Sequence, residues 1–203
     1  MYALVENNQF VKLMRTNKGF TLNDLQYPKE VFTLWTTEER KAIGIYPVRT
    51  DTTNKKDEAW YINTNITYAV SGDEVVGSYG TATAKLLEDR NEVNDDGTPM
   101  LDSDGNQVVT KGLKTIKKEM INNQCAGILA PSDWMVVKAT ETETTMDSGW
   151  KTWRASIRTK CNSMQTQIDN ASDVDALAAL FTYTEQEDGT VTKPLGEFPT
   201  KAD

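Results

Sequence analysis

Residues 127–161 read GILAPSDWMVVKATETETTMDSGWKTWRASIRTKC, and this stretch decides how the second half of the chain is interpreted. A turn-forming proline, Pro131, stands shortly before Trp134. The β-branched residues Val136 and Val137 follow, so the pattern predicts a helix end, a turn and a short strand. Because tryptophan is usually mostly buried, Trp134 is predicted to anchor this turn in a core.

The second half of the stretch has helical spacing. Apolar residues recur at steps of three and four after a candidate capping residue, Asp147 or Ser148, which predicts a long helix over 147–170. The apolar positions are Trp150, Trp153, Ile157, Cys161, Met164 and Ile168. The residues predicted to anchor this helix to the preceding turn are Asp133, Trp134, Trp150 and Trp153.

The opposite face of this helix carries small residues, which allow another backbone to approach closely. They are Thr152, Ala155, Ser156, Thr159 and Ser163. A free helix face usually carries longer charged side chains, so the pattern predicts a contact surface. The alternative is an ordinary exposed face that happens to be small. The predicted partner-binding residues are Lys151, Arg154, Ser156, Arg158 and Thr159.

The first half of the chain has the pattern of strands and turns. Residues 1–15 predict a β-hairpin around an Asn-Asn pair, and residues 58–79 predict a second hairpin around Ser-Gly-Asp. Between them, residues 27–44 predict a short capped helix that ends at a glycine. Residues 81–90 are ambiguous between strand and helix, and their β-branched start favours a strand. Residues 94–106 contain two Asp-Gly turns and predict a loop or a protruding hairpin tip.

Three residues of this tip, Asp102, Asp104 and Asn106, have the alternating spacing of a calcium-binding loop. Such a loop needs Gly at its sixth position and Glu at its twelfth, but this chain has Gln107 and Leu113 there. The sequence therefore favours a plain turn, and no metal site is predicted.

The rest of the second half is mainly helical in pattern. Residues 110–129 predict a helix with a broad apolar face. Its lysines predict a solvated flank that faces an acidic neighbour, and the alternative is a nucleic-acid contact. These lysines are Lys111, Lys114, Lys117 and Lys118. A third helix is predicted to follow a cap at Ser172 and to end near Phe181.

The segregation of strands from helices predicts an α+β fold, in which a β-hairpin-rich N-terminal part precedes a small helical C-terminal module. The predicted β-rich part covers residues 1–109 and includes the protruding polar tip. The predicted helical module covers residues 110–183. The glycines and prolines of residues 184–203 predict an extended C-terminal tail.

The composition limits the chemistry that this chain can perform. With 22 basic and 30 acidic residues the net charge is -8, which disfavours general nucleic-acid binding and makes proteins the expected partners. The absence of histidine excludes Ser-His and Cys-His catalytic arrangements. No catalytic residue, cofactor or membrane insertion is predicted. Cys125 and Cys161 are predicted to be small buried hydrophobes.

Residues within 129–158 resemble the phage tail assembly chaperone family, a domain also found in tail-fibre and other tail-associated proteins of tailed bacteriophages. The matching residues are Leu129, Ser132, Asp133, Trp134, Trp150, Trp153, Arg154 and Arg158. The chain departs from the pattern at two points. Trp153 stands where the family usually has tyrosine, and Thr159 stands where an acidic residue is common.

The resemblance implies a non-enzymatic structural component of a tailed bacteriophage virion that acts by protein attachment in the tail or tail fibre. One alternative is a soluble assembly chaperone that leaves before the particle matures, and another is a small tail-borne glycan hydrolase. The expected partners are other phage tail proteins and further copies of the chain in a symmetric assembly, without nucleic acid. The expected location is the virion tail, assembled in the host cytoplasm. The helical module, from about Lys111 to Phe181, is expected to attach, and the β-rich part with its 94–106 tip is what it displays or wedges into place.

Overall fold

The computed structural model describes residues 1–201. The chain forms two compact units: unit 1 is Met1–Thr83, and unit 2 begins at Ala84. Strands make up 25% and helices 34% of the structure, with a curled sheet in the N-terminal part and helices in the C-terminal part, which confirms the predicted α+β class.

The elements of unit 1 are strands β1 (Tyr2–Glu6), β2 (Gln9–Met14), β3 (Phe20–Leu22) and β4 (Leu25–Tyr27), helix α1 (Thr37–Ala42), and strands β5 (Ile45–Asp51), β6 (Tyr61–Ile62), β7 (Thr67–Ser71) and β8 (Glu74–Ser78). Strand β9 (Thr83–Ala84) spans the boundary. The elements of unit 2 are β10 (Arg90–Asn91), β11 (Val109–Thr110), α2 (Leu113–Leu129), α3 (Asp133–Glu141), α4 (Ser148–Asp169), α5 (Val174–Phe181), β12 (Thr184–Glu185) and β13 (Val191–Thr192).

The first predicted hairpin of unit 1 is confirmed, and the second is confirmed over residues 67–78 of the predicted 58–79, because β6 pairs with β9 instead. Strands β1 and β2 pair antiparallel across Asn7 and Asn8, whose φ angles are 49° and 60°. Two consecutive residues with positive φ are typical of a type I′ turn, which matches the right-handed twist of the flanking strands. Strands β7 and β8 pair antiparallel across the turn at Gly72.

A five-stranded sheet in the order β2-β1-β5-β8-β7 joins the two hairpins. Strand β5 pairs antiparallel with β1 and parallel with β8. The rings of Phe10 and Tyr68 stack with their centroids 4.7 Å apart, so the edge strands β2 and β7 curl towards each other. Two clusters of buried hydrophobic residues lie in this unit: Ala3, Val5 and Val75, and Val31, Phe32 and Ile45.

The predicted short helix of unit 1 is α1, and it is fixed at both ends. Thr36 and Glu39 form a capping box at its start. Gly44 follows its end with a φ of 80°, a conformation that glycine adopts without steric cost. The backbone N–H of Val5 donates to the carbonyl oxygen of Gly44 at 2.8 Å, which ties this turn to β1.

Replacing Gly44 with alanine is expected to lower the free energy of unfolding by about 2 kcal/mol. The positive φ disfavours a side chain, and an added Cβ would lie 2.6 Å from the carbonyl oxygen of Val5. Gly72→Ala is the matched control, because Gly72 also has a positive φ but no atom within 4 Å of an added Cβ. Urea denaturation measures both variants, and equal losses would show that the approach of Val5 has no energetic effect.

The predicted boundary after residue 109 lies inside unit 2. The chain that precedes α2 is held to the start of that helix. The backbone N–H of Leu113 donates to the carbonyl oxygen of Leu86 at 2.8 Å, and the backbone N–H of Gly112 donates to the Asp89 carboxylate at 2.8 Å. The division therefore falls at 83/84, because these bonds join a turn-rich segment to the helices.

The polar excursion of residues 94–106 is the predicted hairpin tip. Strands β10 and β11 pair antiparallel at its base. Beyond this base, two isolated antiparallel bridges lead to the two turns. One bridge pairs Val93 with Pro99, and the other pairs Leu101 with Gln107. Residues 81–90, for which a strand is favoured from sequence, are extended only in β9 and at the start of β10.

Helices α2 and α4 supply most of the buried residues of unit 2. The predicted apolar face of α4 is confirmed for its last two-thirds, whereas the tryptophans at its start are half-buried. The buried residues of the two helices include Leu113, Ile121, Cys125, Leu129, Ile157, Cys161, Met164 and Ile168. Asp147 caps α4 as predicted. Helix α5 is capped by Asp173 instead of Ser172, because the Asp173 carboxylate accepts from the backbone N–H of Ala176 at 2.7 Å.

The C-terminal segment folds back onto α4, where the sequence predicts an extended tail. Strands β12 and β13 form a hairpin. The chain then runs antiparallel to α4, since residue 195 contacts residue 160 and residue 199 contacts residue 153. Lys160 Nζ donates to the carbonyl oxygen of Leu195 at 2.6 Å, and Trp153 Nε1 donates to that of Pro199 at 2.9 Å. Leu195 is buried and Phe198 is half-buried, so apolar contacts help to dock a largely polar segment. Residues 202 and 203 of the predicted tail lie outside the described residues.

Candidate protein-binding site

Arg154 of α4 is buried and connects successive elements of the chain. Its Nη1 donates to the carbonyl oxygen of Leu129 at 2.8 Å and also to the hydroxyl of Ser132. Its Nη2 donates to the Asp133 carboxylate at 2.5 Å. We call these four residues the Arg154 clip, and it fixes the end of α2 and the start of α3 on α4. The prediction that Arg154 binds a partner is wrong, because its guanidinium is satisfied inside the chain.

Residues 133–141 form helix α3, where the sequence predicts a turn and a short strand. Asp133 in the first turn and Lys138 in the last turn complement the helix dipole, and this signal opposes the β-branched Val136 and Val137. No residue of α3 is buried. Trp134 is 57% exposed, so the prediction that it anchors a core is wrong. Trp134 lies on a different face of α3 from the half-buried residues Met135 and Ala139.

One groove beside α3, which we call the tryptophan groove, has a volume of about 310 Å³. It lies between α3 and the start of α4. The Lys138 ammonium lies 5.9 Å from the centroid of the Trp134 ring. The lining residues include Trp134, Met135, Lys138, Met146 and Trp150. An exposed tryptophan beside a groove is typical of the residues that dominate protein–protein binding.

A second groove, which we call the basic groove, lies on the other side of α3 and has a volume of about 390 Å³. Val136, Ala139 and Met146 give it an apolar wall, and Lys151 and Arg158 supply cations. Both cations are exposed, and neither forms an ion pair with a carboxylate of residues 1–201. Three of the predicted partner-binding residues therefore line this groove, namely Lys151, Arg154 and Arg158. Arg154 is bound within the clip, whereas the charges of Lys151 and Arg158 have no carboxylate partner among residues 1–201.

Trp150 and Trp153 form an edge-to-face pair with ring centroids 5.5 Å apart. The Lys201 ammonium lies 4.8 Å from the centroid of the Trp150 ring, a cation–π distance. Together with the bond from Trp153 to the C-terminal segment, these contacts join α4 to the end of the chain. The predicted single core with Trp134 does not form, because Trp134 is exposed.

The other two predicted partner-binding residues, Ser156 and Thr159, line neither groove. Ser156 is half-buried, and its hydroxyl donates to the carbonyl oxygen of Trp153 at 2.7 Å. Thr159 is exposed. A partner contact on this small-residue face stays a prediction.

The lysines near the start of α2 bind inside the chain. The acidic neighbour that the sequence predicts for them is therefore largely this chain itself, and Lys114 is buried instead of solvated. Their partners are Glu119 for Lys111, Glu88 for Lys114, the Phe181 ring for Lys117 and Asp169 for Lys118.

Cys125 and Cys161 are free and buried, as predicted. Burial raises the pKa of the Cys125 thiol, and a hydrogen bond with Cys161 raises it further. A thiol whose pKa is raised stays protonated near neutral pH and is a poor nucleophile. The two cysteines therefore act as packing residues between α2 and α4.

Asp102 stabilises its own turn in the hairpin tip, as the sequence favours. Its carboxylate accepts from the backbone N–H groups of Asn106 at 2.8 Å and Asp104 at 2.9 Å, and the bond from Asn106 is the main cause that lowers its pKa. Among residues 1–201, no group of three or more His, Cys, Asp or Glu side chains is placed to hold a metal ion. No helix in the described part of the chain is long and apolar enough to cross a bilayer.

Comparison with models of protein families, with curated proteins and with solved structures gives no match for this chain. The resemblance to the tail assembly chaperone family therefore rests on residues within 129–158. Sequence reasoning missed the apolar wall of the basic groove. Asp133 and Lys138 could have revealed it, because an acidic residue at the start and a basic residue near the end indicate a helix over 133–141. Such a helix places Val136 and Ala139 next to each other on one side.

Proposed function

We propose that this chain is a non-enzymatic structural component of a tailed bacteriophage virion, which attaches to other proteins of the tail or tail fibre. The observation that carries the proposal is helix α3, which buries none of its residues and presents Trp134 beside a groove. Exposed apolar surface beside polar side chains marks sites of protein interaction. The partners in this proposal are other phage tail proteins, and assembly occurs in the host cytoplasm.

The residues of the family resemblance support this role through their positions. Ser132, Asp133 and Arg154 belong to the clip, and Trp134 is the adjacent residue that the clip leaves exposed. Most helical stability in proteins comes from packing, and α3 has little packing of its own. The clip therefore holds Trp134 in a defined position before a partner arrives, which reduces the entropy lost on binding.

The tryptophan groove suits a partner surface with a matching aromatic pocket and an acidic rim. Trp134 supplies a large apolar contact, and Lys138 supplies a cation next to it. Aromatic residues at the centre of an interface contribute most of its binding energy, and surrounding charges favour the correct partner.

Trp134→Ala is expected to change the free energy of unfolding by about 0.5 kcal/mol or less, because the side chain is exposed. The same change is expected to lower the amount of chain in purified particles about tenfold or more, since loss of a central interface tryptophan costs at least that much affinity. Quantitative mass spectrometry of the particles measures this amount. Tyr183→Ala is the control, because Tyr183 is an aromatic residue of unit 2 that is 65% exposed and lines neither groove.

The particle measurement also separates the proposal from its main alternative. Absence of the wild-type chain from purified particles would contradict the virion assignment and would favour a soluble assembly chaperone. Equal amounts of the wild-type and Trp134→Ala chains in particles would contradict the role of α3 in attachment.

A further inference from the structure

The basic groove carries two cations that form no ion pair with the part of the chain that the structure describes, residues 1–201. Other cations of unit 2 bind internally, including Lys111, Lys114, Lys118, Arg154, Lys160 and Lys193. Lys151 and Arg158 are exposed and pair with no carboxylate of residues 1–201. They flank an apolar wall that includes Val136 and Met146. The groove therefore fits a segment that carries both carboxylates and apolar side chains.

The hairpin tip of unit 2 has this composition. Residues 91–107 contain no basic residue. Their acidic side chains are Glu92, Asp95, Asp96, Asp102 and Asp104, and their exposed apolar side chains are Val93, Met100 and Leu101. The carboxylates of Asp96 and Asp102 accept backbone N–H bonds within the two turns, so the tip is ordered before binding. In the structure, no residue of the tip lines the basic groove.

We propose that the tip of one copy of this chain docks into the basic groove of a second copy. Charge complementarity is the main argument, because the free cations of the groove match the tip carboxylates, of which Glu92 alone pairs with a cation among residues 1–201, Arg90. The guanidinium of Arg158 suits a carboxylate through two parallel hydrogen bonds. The exposed apolar residues of the tip and of the groove would also be removed from water by this contact, which favours it.

This contact joins two different surfaces, so it is heterologous. Each copy has one tip and one basic groove, and the two surfaces share no residue. A head-to-tail contact of this kind produces a closed ring when its rotation closes and an open filament when it does not. The inference goes beyond attachment to other proteins through the tryptophan groove, because it concerns contacts between copies of the purified chain.

Sedimentation equilibrium of the purified full-length chain tests the contact. The mass of the wild type is expected to rise with concentration. The double variant Lys151→Glu with Arg158→Glu reverses the charge of the groove. The double variant Asp95→Lys with Asp104→Lys reverses charges on the tip and leaves the turn-forming carboxylates of Asp96 and Asp102 in place. Each pair is expected to weaken self-association roughly 100-fold, because like charges are then opposed.

A combined variant that carries all four substitutions restores complementary charges and is expected to associate within about tenfold of the wild type. Lys12→Glu with Lys18→Glu is the matched control, since both lysines are exposed in unit 1, and it is expected to associate like the wild type. A wild type that stays monomeric overturns the inference, and so does a combined variant as weak as its parents. Either result leaves the particle measurement on Trp134→Ala as a separate test of the proposed function.

Discussion

Arg154→Ala is expected to lower the free energy of unfolding by about 3 kcal/mol. The change removes a buried guanidinium that donates to Leu129, Ser132 and Asp133. Ser132 is 1% exposed, so water cannot replace the lost donor at its hydroxyl. Urea denaturation followed by the helical circular dichroism signal measures the loss.

Three further variants show which part of the clip matters. Asp133→Asn is expected to cost about 1 kcal/mol or less, because 60% of the Asp133 side chain is exposed. Arg154→Lys is expected to cost nearly as much as Arg154→Ala, because one ammonium group cannot reproduce the planar fork of the guanidinium. Lys151→Ala, on the exposed side of the same helix, is expected to be neutral. Wild-type stability of the Arg154→Ala chain would show that α3 is held by other contacts.

Ile157→Ala is expected to lower the free energy of unfolding by about 3 to 4 kcal/mol, through the lost transfer free energy and the cavity left behind. Ile157 is fully buried and lies in the middle of the apolar face of α4. Ile116→Ala on α2 is the matched control, because Ile116 is 46% exposed, and it is expected to cost about 1 kcal/mol or less. Similar losses for the two variants in urea denaturation would contradict the assignment of Ile157 to the core.

The elements that could be predicted from sequence are those whose chemistry is local. The Asn7 and Asn8 turn selects its own hairpin through positive φ, and Asp147 caps the helix that follows it. The apolar steps of α4 also needed no tertiary information, because they repeat with the period of the helix.

The candidate site depended on tertiary contacts, and sequence reasoning largely missed it. Tryptophan is typical of protein cores, but α3 begins at Asp133 and places Trp134 on its exposed side. Arginine is typical of protein surfaces, yet Arg154 is buried because its hydrogen-bond acceptors lie 21 to 25 positions earlier in the chain. Docking of the C-terminal segment likewise depends on distant residues, because Leu195 is buried and its carbonyl oxygen accepts from Lys160, 35 positions earlier in the chain. No local pattern encodes such pairings.

The place of β5 in the sheet sets an order for the folding of unit 1. The two hairpins can form from neighbouring residues, whereas β5 must pair Leu4 with Ile45 and Val48 with Val75. Such pairings are slow because a long loop has to close first. On the ribosome, β5 can meet β1 early, but its second edge stays open until β8 has emerged. An open edge can pair with another chain, so the emergence of residues 74–78 is the step that covers this edge of β5 in the nascent sheet.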